Sequence, residues 1–590
     1  MSRHIQIRIA ALLASALASI AAVMLFIDFA EPGGLDGIDW LRIVLTATTG
    51  FWLVWGSAAA FLGIWVPAHS RSGDELVREP DGMSVILVPI YNEDTVATFS
   101  RVAAMNQSLR AIGMAHKFHF AILSDTTQDE ILTRERYWFE RLLAEPDAPG
   151  RVFYRHRKAN VGKKAGNIED FISRSGGAYD YALILDADSL MEGKTIAEMA
   201  CRLDDTPDLG LLQTLPKIIN ARSLFGRAIQ FSAAYLSPIF ARGSALMQGR
   251  EGPFWGHNAI VRVDAFAASC GLPMLSGKPP AGGHILSHDY VEAALLSRAG
   301  WTVRLDTDLE GSYEEGPENL IAYAKRDRRW CQGNLQHRRI LFAPGLKFWN
   351  RFTFLQGIMA YLASPLWLLL LAASIVSAAQ PQKVFVDTQE LASGAKAAWG
   401  LVIGITALLI VPKLLILTRG ALTGENKKFG GTFRAALSSG AEIVLSTLIA
   451  PIMLLLQTRS VLQVLLGLDG GWPATQRDES RVTVSEAWAA TWWIVAFGAA
   501  TLAVVLALSP RIVLWVLPAI VPMMIAPLLI ASSSRSKQAG HLPELFRAPL
   551  EVNPTPVMLE RDRVLARWST VNSEASAATA PQKETADAGA

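Results

Sequence analysis

The stretch Tyr181-Ala182-Leu183-Ile184-Leu185-Asp186-Ala187-Asp188 decides the fold of this 590-residue chain. Residues 181–185 form a short apolar run, and two aspartates follow it directly. A run of this length that ends in charged side chains is typical of a buried strand. In parallel sheets, ligands collect beyond the carboxyl ends of the strands. The stretch therefore predicts a buried strand that carries Asp186 and Asp188 to a ligand site.

The region around this stretch alternates between strand-like and helix-like patterns. β-prone runs lie at 83–88, 118–123 and 152–154, and helical spacing is found at about 96–113, 128–143 and 163–173. Strands separated by helices predict a mostly parallel, doubly wound sheet. We assign this Rossmann-like α/β domain to residues 70–350.

Polar residues follow the other predicted strands as well. Asn92-Glu93-Asp94 comes after the first strand and Ser124-Asp125-Thr126 after the second. A sugar nucleotide carries a diphosphate, and Mg²⁺ binds such groups together with one or two protein carboxylates. An Asp-x-Asp motif is weak in isolation, since Asp306-Thr307-Asp308 repeats the pattern. Asp125 is a candidate for binding the base or ribose, and a helix N-cap is the alternative.

Two further polar stretches open predicted helices. Lys163-Lys164-Ala165-Gly166-Asn167 would attract a diphosphate to a helix N-terminus, although a solvated basic turn is the alternative. Ser287-His288-Asp289 also begins a helix, so Asp289 is either a reactive carboxylate or a cap. Three consecutive residues do not have the spacing of a hydrolytic triad, and we assign His288 no role.

The composition indicates a membrane protein. Apolar residues make up 51% of the chain and charged residues only 18%, too apolar for an ordinary soluble protein. The net charge is +2, and no basic stripe with interleaved aromatic residues is present, so we expect no nucleic-acid partner. The cysteines (Cys201, Cys270 and Cys331) lie far apart, which favours neither a disulfide framework nor a zinc site.

Several apolar runs are long enough to span a bilayer. We predict about six spans: Ile9–Ile27, Ile43–Pro67, Phe352–Gln382, Ala397–Thr418, Ala487–Pro510 and Ile512–Ser534. The first run is long for the apolar part of a signal peptide, so we interpret it as a retained anchor. Residues 435–468 are broken by Glu442, Pro451 and Arg459, and we interpret them as an amphipathic or re-entrant segment, with a true crossing as the alternative.

The distribution of basic residues predicts the orientation. Lys and Arg precede the first span, are missing from the connector 28–39, and return after the fourth span and in the tail. The catalytic domain and both termini are therefore expected in the cytoplasm. The predicted plan has two N-terminal spans in 1–69, the α/β domain with interfacial helices, two spans in 351–422, a cytoplasmic or interfacial segment in 423–486, two spans in 487–534, and a partly disordered cytoplasmic tail in 535–590.

The ordered polar residues resemble a known family. Asp125, Asp186-x-Asp188, Asp289 and Arg326-x-x-Arg329-Trp330 are similar to the D, DxD, D, QxxRW series of processive family 2 glycosyltransferases, such as cellulose and hyaluronan synthases. A closer resemblance is to the glucan biosynthesis glucosyltransferase H family, which makes osmoregulated periplasmic glucans. Four stretches carry it: Pro89-Ile90-Tyr91-Asn92-Glu93-Asp94, Gly256-His257-Asn258, Ser287-His288-Asp289-Tyr290-Val291-Glu292 and Leu309-Glu310-Gly311-Ser312-Tyr313-Glu314-Glu315-Gly316-Pro317.

This resemblance implies a GT-A domain, UDP-glucose as donor, Mg²⁺ or Mn²⁺, an inverting mechanism and a β-glucan product with a β-1,2 backbone. It implies Asp289 as general base and Arg329 as the group that stabilises the departing diphosphate. Asp188 would hold the metal, with Asp186 as a possible second ligand. The donor-binding residues would be Tyr91, Asn92, Glu93, Asp125, Lys164, Asp186 and Asp188. Trp330, His257 and Asn258 would lie at the acceptor and channel mouth, although an interfacial belt is the alternative for Arg329 and Trp330.

Two departures from the family pattern matter. Arg326 replaces the glutamine of QxxRW, and a guanidinium cannot accept hydrogen bonds as an amide carbonyl does. The gating motif of the cellulose synthases is missing; residues 471–478 stand in its place, and we expect Trp472, Gln476 and Arg477 to cap the nucleotide pocket. An ordinary surface loop is the alternative.

We therefore predict a multi-pass enzyme of the bacterial inner membrane that polymerises glucose and moves the chain to the periplasm. The expected partners are UDP-glucose, the growing glucan, membrane lipid and a periplasmic glucan-modifying protein. Another glycan synthase or a lipid-linked glycosyltransferase that makes a single transfer is one alternative. A small-molecule transporter with an accessory nucleotide-binding domain is the other.

Overall fold

The computed structural model describes residues 2–30, 35–67, 78–380, 388–468, 481–536 and 544–579. Two long helices, α1 (Arg3–Ala30) and α2 (Gly37–Ile64), precede the α/β domain. The elements of that domain are β1 (Ser84–Ile90), α3 (Thr95–Ala111), β2 (Phe118–Ser124), α4 (Asp129–Leu143), β3 (Val152–His156), α5 (Lys163–Ser175), β4 (Tyr181–Ile184), β5 (Leu190–Met191), α6 (Gly193–Asp204), β6 (Leu209–Gln213), β7 (Lys217–Ile219), α7 (Leu224–Tyr235), α8 (Ser237–Gln248), β8 (Ala259–Arg262), α9 (Val263–Ser269), α10 (His288–Arg298), β9 (Thr302–Leu305), β10 (Ser312–Glu315) and α11 (Leu320–Gln336).

The remaining helices form the membrane region and the tail. They are α12 (Phe348–Ala379), α13 (Thr388–Thr423), α14 (Thr432–Leu465), α15 (Val484–Leu508), α16 (Val513–Met524), α17 (Ala526–Ser533), α18 (Pro549–Val552) and α19 (Pro556–Thr579). Helix α19 lies within residues 535–590, for which the sequence predicted a partly disordered tail.

The main sheet of the described chain has seven strands in the order β3-β2-β1-β4-β8-β6-β9. Strands β3, β2, β1 and β4 are parallel, and β9 is parallel to β6. Strand β8 alone among these runs antiparallel to its neighbours β4 and β6. The predicted mostly parallel, doubly wound sheet is thus confirmed, with one antiparallel strand inserted. A smaller sheet has the order β5-β10-β7.

Helices cover both faces of the main sheet because its strands are apolar on both sides. Along β1, Ile86 and Val88 face the core that contains α3 and α6, whereas Val85 and Leu87 face the core that contains α5 and α9. Successive side chains of a strand point to opposite faces of the sheet. A strand that is apolar throughout must therefore be covered on both faces. The polar residues that follow the strands are therefore left at the strand ends.

Among the described residues, six helices are long and apolar enough to cross a membrane: α1, α2, α12, residues 394–423 of α13, α14 and α15. The prediction of an interfacial or re-entrant segment at 435–468 differs from the structure, in which residues 432–465 form one continuous helix. Each expected interruption is accommodated. Glu442 pairs with Lys413 of α13 at 2.5 Å, Arg459 lies over the Trp493 ring at 5.2 Å, and Pro451 is tolerated inside the helix.

The predicted last span, Ile512–Ser534, is the segment that is broken instead. Residues 510–524 and 526–533 form two helices bent by 56° at Ile525, either a broken span or a re-entrant loop. Pro518, Pro522 and Pro527 lie in this segment, and proline removes helix hydrogen bonds and favours kinks. Six crossings would give the even number that the predicted orientation requires, and counting the bent pair as a further span would give seven.

The α/β domain is attached closely to the membrane-type helices. A Cβ on Gly63 of α2 or on Gly243 of α8 would clash with the other helix's backbone, so these glycines allow α2 and α8 to touch. Helix α11 packs against α12 and α14. Residues 337–347 form a short 3₁₀ turn and a loop before α12. Helix α11 is thus the link between sheet and membrane helices.

Candidate active site

One cavity of about 880 Å³ lies at the carboxyl ends of β1, β2 and β4. Its wall combines residues from the start, middle and end of the predicted catalytic series. Those that line it are Tyr91, Glu93, Asp125, Lys164, Asp186, Asp188, His257, Asp289, Arg326, Arg329 and Trp330. The fold therefore brings the distant members of the series around a common space.

Asp125 lies at the end of β2 and is paired with a cation. Its two carboxylate oxygens accept hydrogen bonds from Arg157 Nε at 2.8 Å and Nη2 at 2.7 Å. Asn160 Nδ2 donates to the Asp125 main-chain carbonyl at 2.7 Å. Helix α4 starts at Asp129 with Gln128 as its N-cap, so the helix-cap alternative for Asp125 is wrong. A carboxylate has about four acceptor positions, so Asp125 keeps acceptor capacity toward the cavity.

Lys164 links Asp186, the first aspartate of the Asp-x-Asp motif, to the loop that contains Gly256. Its ammonium group contacts the Asp186 carboxylate and donates to the Gly256 carbonyl at 2.7 Å. Burial alone would raise the pKa of Asp186, but the charges of Lys164, His257 and Arg326 outweigh it and hold that pKa well below its usual range. Asp186 is thus an anion within a ring of cations, and Lys164 is not a merely solvated turn residue.

The donor set of this cavity suits a cation that arrives with a diphosphate. Asp186 and Asp188 both line the cavity, and the described residues contain no group of three or more acidic, histidine or cysteine side chains able to hold a metal alone. Mg²⁺ prefers one or two carboxylates and completes its shell with phosphate oxygens and water. The residues present therefore fit a metal that the protein and the donor share.

Asp289 lies in the first turn of α10, opposite the Lys164 contact. Gly256 has φ +89°, and a Cβ there would stand 3.3 Å from Asp289 Oδ2, so glycine is what allows this close approach. Burial is the largest influence on Asp289 and raises its pKa, although His288 opposes the effect. Ser287 is the N-cap residue, so the helix-cap alternative for Asp289 does not hold either.

The neighbours of Asp289 fix the start of α10. His288 Nδ1 lies 3.1 Å from Glu292 Oε1. Burial would lower the pKa of His288, but the Glu292 carboxylate outweighs it and raises that pKa. A Cβ on Gly333 would clash with Ser287, so this glycine lets α11 pack directly on the start of α10. This packing brings the Arg-Trp pair to the same cavity as Asp289.

Arg326, Arg329 and Trp330 occupy successive turns of α11 and face the cavity. The Arg326 guanidinium lies 4.5 Å from the centre of the Trp330 ring, a cation–π geometry. Arg326 thus places its charge beside the Trp330 ring and near Asp186 and Glu314. The Trp330 side chain is 41% exposed, which leaves an aromatic face open to a ligand.

Two predicted site residues lie elsewhere, as does the repeated Asp-x-Asp pattern. Asn258 is completely buried and bonds Ser189, Ser312 and Tyr313, so it fixes the loop behind the cavity and does not lie at an acceptor mouth. The Asn92 side chain accepts from the main chain of Thr127 and Gln128 and joins the loops after β1 and β2, away from the cavity wall. The second Asp-x-Asp motif is neutralised by Arg202 and lies outside the cavity.

The expected gating residues Trp472, Gln476 and Arg477 lie outside the described residues. Several residues were missed by the sequence analysis: Arg101, Glu315 and Arg561 line the cavity, and Arg157 donates to Asp125 of its wall. Arg157 could have been found from the sequence, because it directly follows β3 and therefore lies beside the other residues at the strand ends. The partners of Arg101 and Arg561 depend on tertiary contacts that no local pattern encodes.

A second cavity has a volume of about 320 Å³ and shares one lining residue with the first. Arg329 lines both, and helices α11, α14, α15 and α17 enclose the second. Its polar lining comes from Lys325, Asp327, Arg328, Arg329, Gln332, Arg459, Ser460, Gln463 and Thr491. A second space, with apolar and polar lining, thus lies among the helices of the membrane region and shares Arg329 with the first cavity.

Comparison with known proteins agrees with this architecture. Residues 85–269 match the family described as glycosyl transferase family 2, and residues 181–417 match glycosyl transferase family group 2. A solved structure, mannosyl-3-phosphoglycerate synthase from Rubrobacter xylanophilus, is 14% identical and covers 45% of this chain and 77% of its own, with a TM-score of 0.28. That score is too low to bear on fold or activity.

Curated relatives carry one shared name, glucans biosynthesis glucosyltransferase H. The relative from Cereibacter sphaeroides is 54% identical over 572 residues and covers 95% of both chains. One from Rhodopseudomonas palustris is 37% identical, covering 95% of this chain and 79% of its own, and one from Caulobacter vibrioides is 41% identical, covering 76% and 68%. The chain therefore belongs to the glucans biosynthesis glucosyltransferase H family and carries a glycosyl transferase family 2 domain.

Proposed function

We propose that this protein is a processive, inverting glucosyltransferase that polymerises glucose from UDP-glucose into a β-glucan. The observation that carries the proposal is the common cavity lined by Asp125, Asp188, Asp289 and Trp330. Its lining residue Arg329 also lines a second cavity among the membrane-type helices. The family relationship supports glucan synthesis, and the residues of the cavity support the steps described below.

The nucleotide end of the donor would lie along the ends of β1 and β2. Asp125, held by Arg157, would accept hydrogen bonds from the base or ribose, and Tyr91 and Glu93 line the same side. The diphosphate would lie between Lys164 and the two aspartates after β4. A bound Mg²⁺ or Mn²⁺ would supply charge neutralisation there, with Asp188 and Asp186 as its protein ligands.

Asp289 would act as the general base. As an inverting enzyme needs one direct displacement, a single carboxylate suffices to take the proton from the acceptor hydroxyl as that oxygen attacks the anomeric carbon. The new bond to the acceptor oxygen forms while the bond from glucose to UDP breaks, and UDP leaves with the electron pair. Asp289 lies across the Gly256 loop from Lys164, so base and leaving group are on different walls.

Charge on the departing diphosphate would be stabilised by Lys164 and Arg329. Both cations are already present in the wall, so little reorganisation accompanies the reaction, which is the basis of electrostatic stabilisation in active sites. Trp330 would carry the acceptor sugar on its exposed ring face. Aromatic rings oriented by a neighbouring cation, as Trp330 is by Arg326, are rigid platforms for such contacts.

The product would leave through the second cavity. A glucan presents hydroxyl groups along its length, and the amides and guanidinium groups of Gln332, Arg459 and Gln463 are suitable hydrogen-bonding partners. Because this cavity lies among α11, α14, α15 and α17, each added glucose would push the chain toward the membrane. We extend the proposal to translocation across the inner membrane, with the catalytic domain and both termini in the cytoplasm.

The donor and linkage are tested by product analysis. Purified protein in proteoliposomes would receive UDP-glucose, UDP-galactose or UDP-N-acetylglucosamine with Mg²⁺, and the product would be analysed by methylation. We expect a polymer from UDP-glucose alone, with 2-substituted glucose as the main residue. A polymer with another linkage would overturn the β-1,2 assignment, and polymer from another donor would overturn the donor assignment.

A further inference from the structure

Helix α19 forms part of the cavity wall, although it lies near the end of the chain. Its residues Arg561, Asp562 and Leu565 line the cavity beside residues of α3. The helix is held by apolar packing, since Trp568 is buried against Trp138 with ring centres 5.2 Å apart. The tail therefore belongs to the α/β domain, and its inner face meets the candidate donor site.

Arg561 is the buried charged residue of α19 that lines this site. Only 6% of its surface is exposed, which is unusual for an arginine. Its Nη2 lies 3.2 Å from Asn220 Oδ1 and 2.7 Å from Asp562 Oδ1, and its Nη1 lies 3.5 Å from Glu315 Oε1. A buried guanidinium with this many oxygen partners has one preferred orientation.

Glu315 connects Arg561 to the Asp-x-Asp turn through Arg101. The same oxygen, Oε1, accepts from Arg101 Nη2 at 2.8 Å and from Asn220 Nδ2 at 2.8 Å. Arg101 Nη1 in turn donates to the Ala187 carbonyl at 3.2 Å, between the two aspartates of the motif. Burial would raise the pKa of Glu315, but Arg101, Asn220 and Arg561 outweigh it and lower that pKa, so the shared carboxylate stays charged.

We propose that Arg561 is a positioning residue that holds the Asp186-Ala187-Asp188 turn in place through Glu315 and Arg101. This inference rests on the proposed function, because it assigns the turn to the donor's diphosphate and its cation. Arg561 acts at a distance: it fixes Glu315, Glu315 fixes Arg101, and Arg101 fixes the carbonyl at the centre of the turn. Outer partners of this kind orient metal ligands, and their loss typically weakens metal binding about 10- to 100-fold.

The experiment compares full-length wild type with Arg561→Ala, Arg561→Lys and the control Arg563→Ala. Arg563 lies on the same helix, is 75% exposed at its side chain and contacts Glu560. Binding of Mn²⁺ in the presence of UDP is measured by electron paramagnetic resonance, and amide hydrogen exchange is measured over residues 185–190. For Arg561→Ala we expect Mn²⁺ affinity to fall about tenfold and exchange in the turn to accelerate, with partial recovery in Arg561→Lys. Arg563→Ala should match wild type in both measurements.

Two results would overturn the inference. One is wild-type exchange and wild-type Mn²⁺ affinity in Arg561→Ala; the other is an equal loss in Arg563→Ala, which would indicate general undocking of α19. Exchange across α19 itself distinguishes a detached helix from a lost contact. Failure of the wild-type protein to polymerise glucose would overturn the proposed function alone, because exchange of the turn amides is measured without a donor sugar.

Discussion

At the scale of single residues, two carboxylates in one cavity have pKa values that are shifted in opposite directions. Asp186 is held ionised by Lys164, His257 and Arg326 in spite of its burial, whereas burial raises the pKa of Asp289. A metal ligand must stay charged, and a general base works best when its pKa approaches the working pH. The surroundings of the two aspartates therefore match the two roles proposed for them.

The raised pKa of Asp289 predicts where activity is lost in acid. A base with a raised pKa becomes protonated at a higher pH than an ordinary aspartate, whose pKa is about 3.9. The rate of glucan synthesis at low donor concentration should therefore fall, as pH decreases, above the usual carboxyl range. A pH–rate profile of kcat/KM checks this, with bound UDP followed in parallel. A profile that stays flat down to the pKa of an ordinary aspartate would contradict the assignment of Asp289 as base.

A second prediction at this scale concerns Gly256. An alanine there would combine a left-handed backbone with a Cβ against Asp289, and each sparsely populated conformation costs about 1–3 kcal/mol. Displacing the base by about 1 Å is enough to lower a rate about 100-fold. We expect Gly256→Ala to lose about that factor in kcat, measured by UDP release from UDP-glucose.

The matched control for Gly256 is Gly271→Ala. A Cβ at Gly271 meets no heavy atom within 4 Å, so this variant should keep wild-type turnover. If Gly256→Ala and Gly271→Ala were equally active, the close approach of the Gly256 loop to Asp289 would have no catalytic importance.

At the scale of elements, the strands and helices of the α/β domain were predictable, while the membrane helices were only partly so. Strand β1 was expected at 83–88 and found at 84–90, because an apolar run bounded by polar residues has few alternatives. The continuity of helix α14 was not the favoured prediction, because together with Pro451 the charged residues Glu442 and Arg459 were interpreted as breaks in the apolar run. Their partners Lys413 and Trp493 lie on other helices, and the sequence of α14 does not contain them.

The pairing of α13 with α14 predicts a specific stability pattern. Removing one charge of the Lys413–Glu442 pair leaves the other alone among apolar helices, at a cost of about 2.5–3.5 kcal/mol on insertion scales. Lys413→Met should therefore lower the melting temperature in detergent, and Lys413→Met with Glu442→Leu should recover most of the loss. Equal melting temperatures for the single variant and wild type would show that the pair does not stabilise the bundle.

At the scale of the whole molecule, residues far apart in sequence act together because α11 and α19 both reach the sheet edge. Asp125, Asp186, Asp188 and Asp289 could be predicted from the sequence, since they follow strands or open a helix. Arg326, Arg329 and Trp330 lie within α11 and were identified by the resemblance to the family series. The contacts of Arg157, Arg101 and Arg561 could not be predicted, because the carboxylates and carbonyl that they bind come from other elements of the fold. The sequence therefore predicts the carboxylates of the site, whereas the arginines that hold the site in place are recognised only in the folded structure.

The presence of a second cavity beside the first favours the proposal of a synthase. Arg329 lines both cavities, so the proposed site of transfer and the helices of the membrane region share one side chain. An enzyme making a single transfer to a lipid would need only the first cavity. A transporter with an accessory domain would need no base at Asp289.

The most direct measurement follows radiolabelled glucose from UDP-glucose in proteoliposomes that contain wild type, Asp289→Asn or the exposed control Asp264→Asn. We predict a water-soluble polymer from wild type and Asp264→Asn, and a loss of about 100- to 10,000-fold in Asp289→Asn with UDP binding retained. A lipid-soluble product carrying a single glucose, or polymer made at the wild-type rate by Asp289→Asn, would contradict the account.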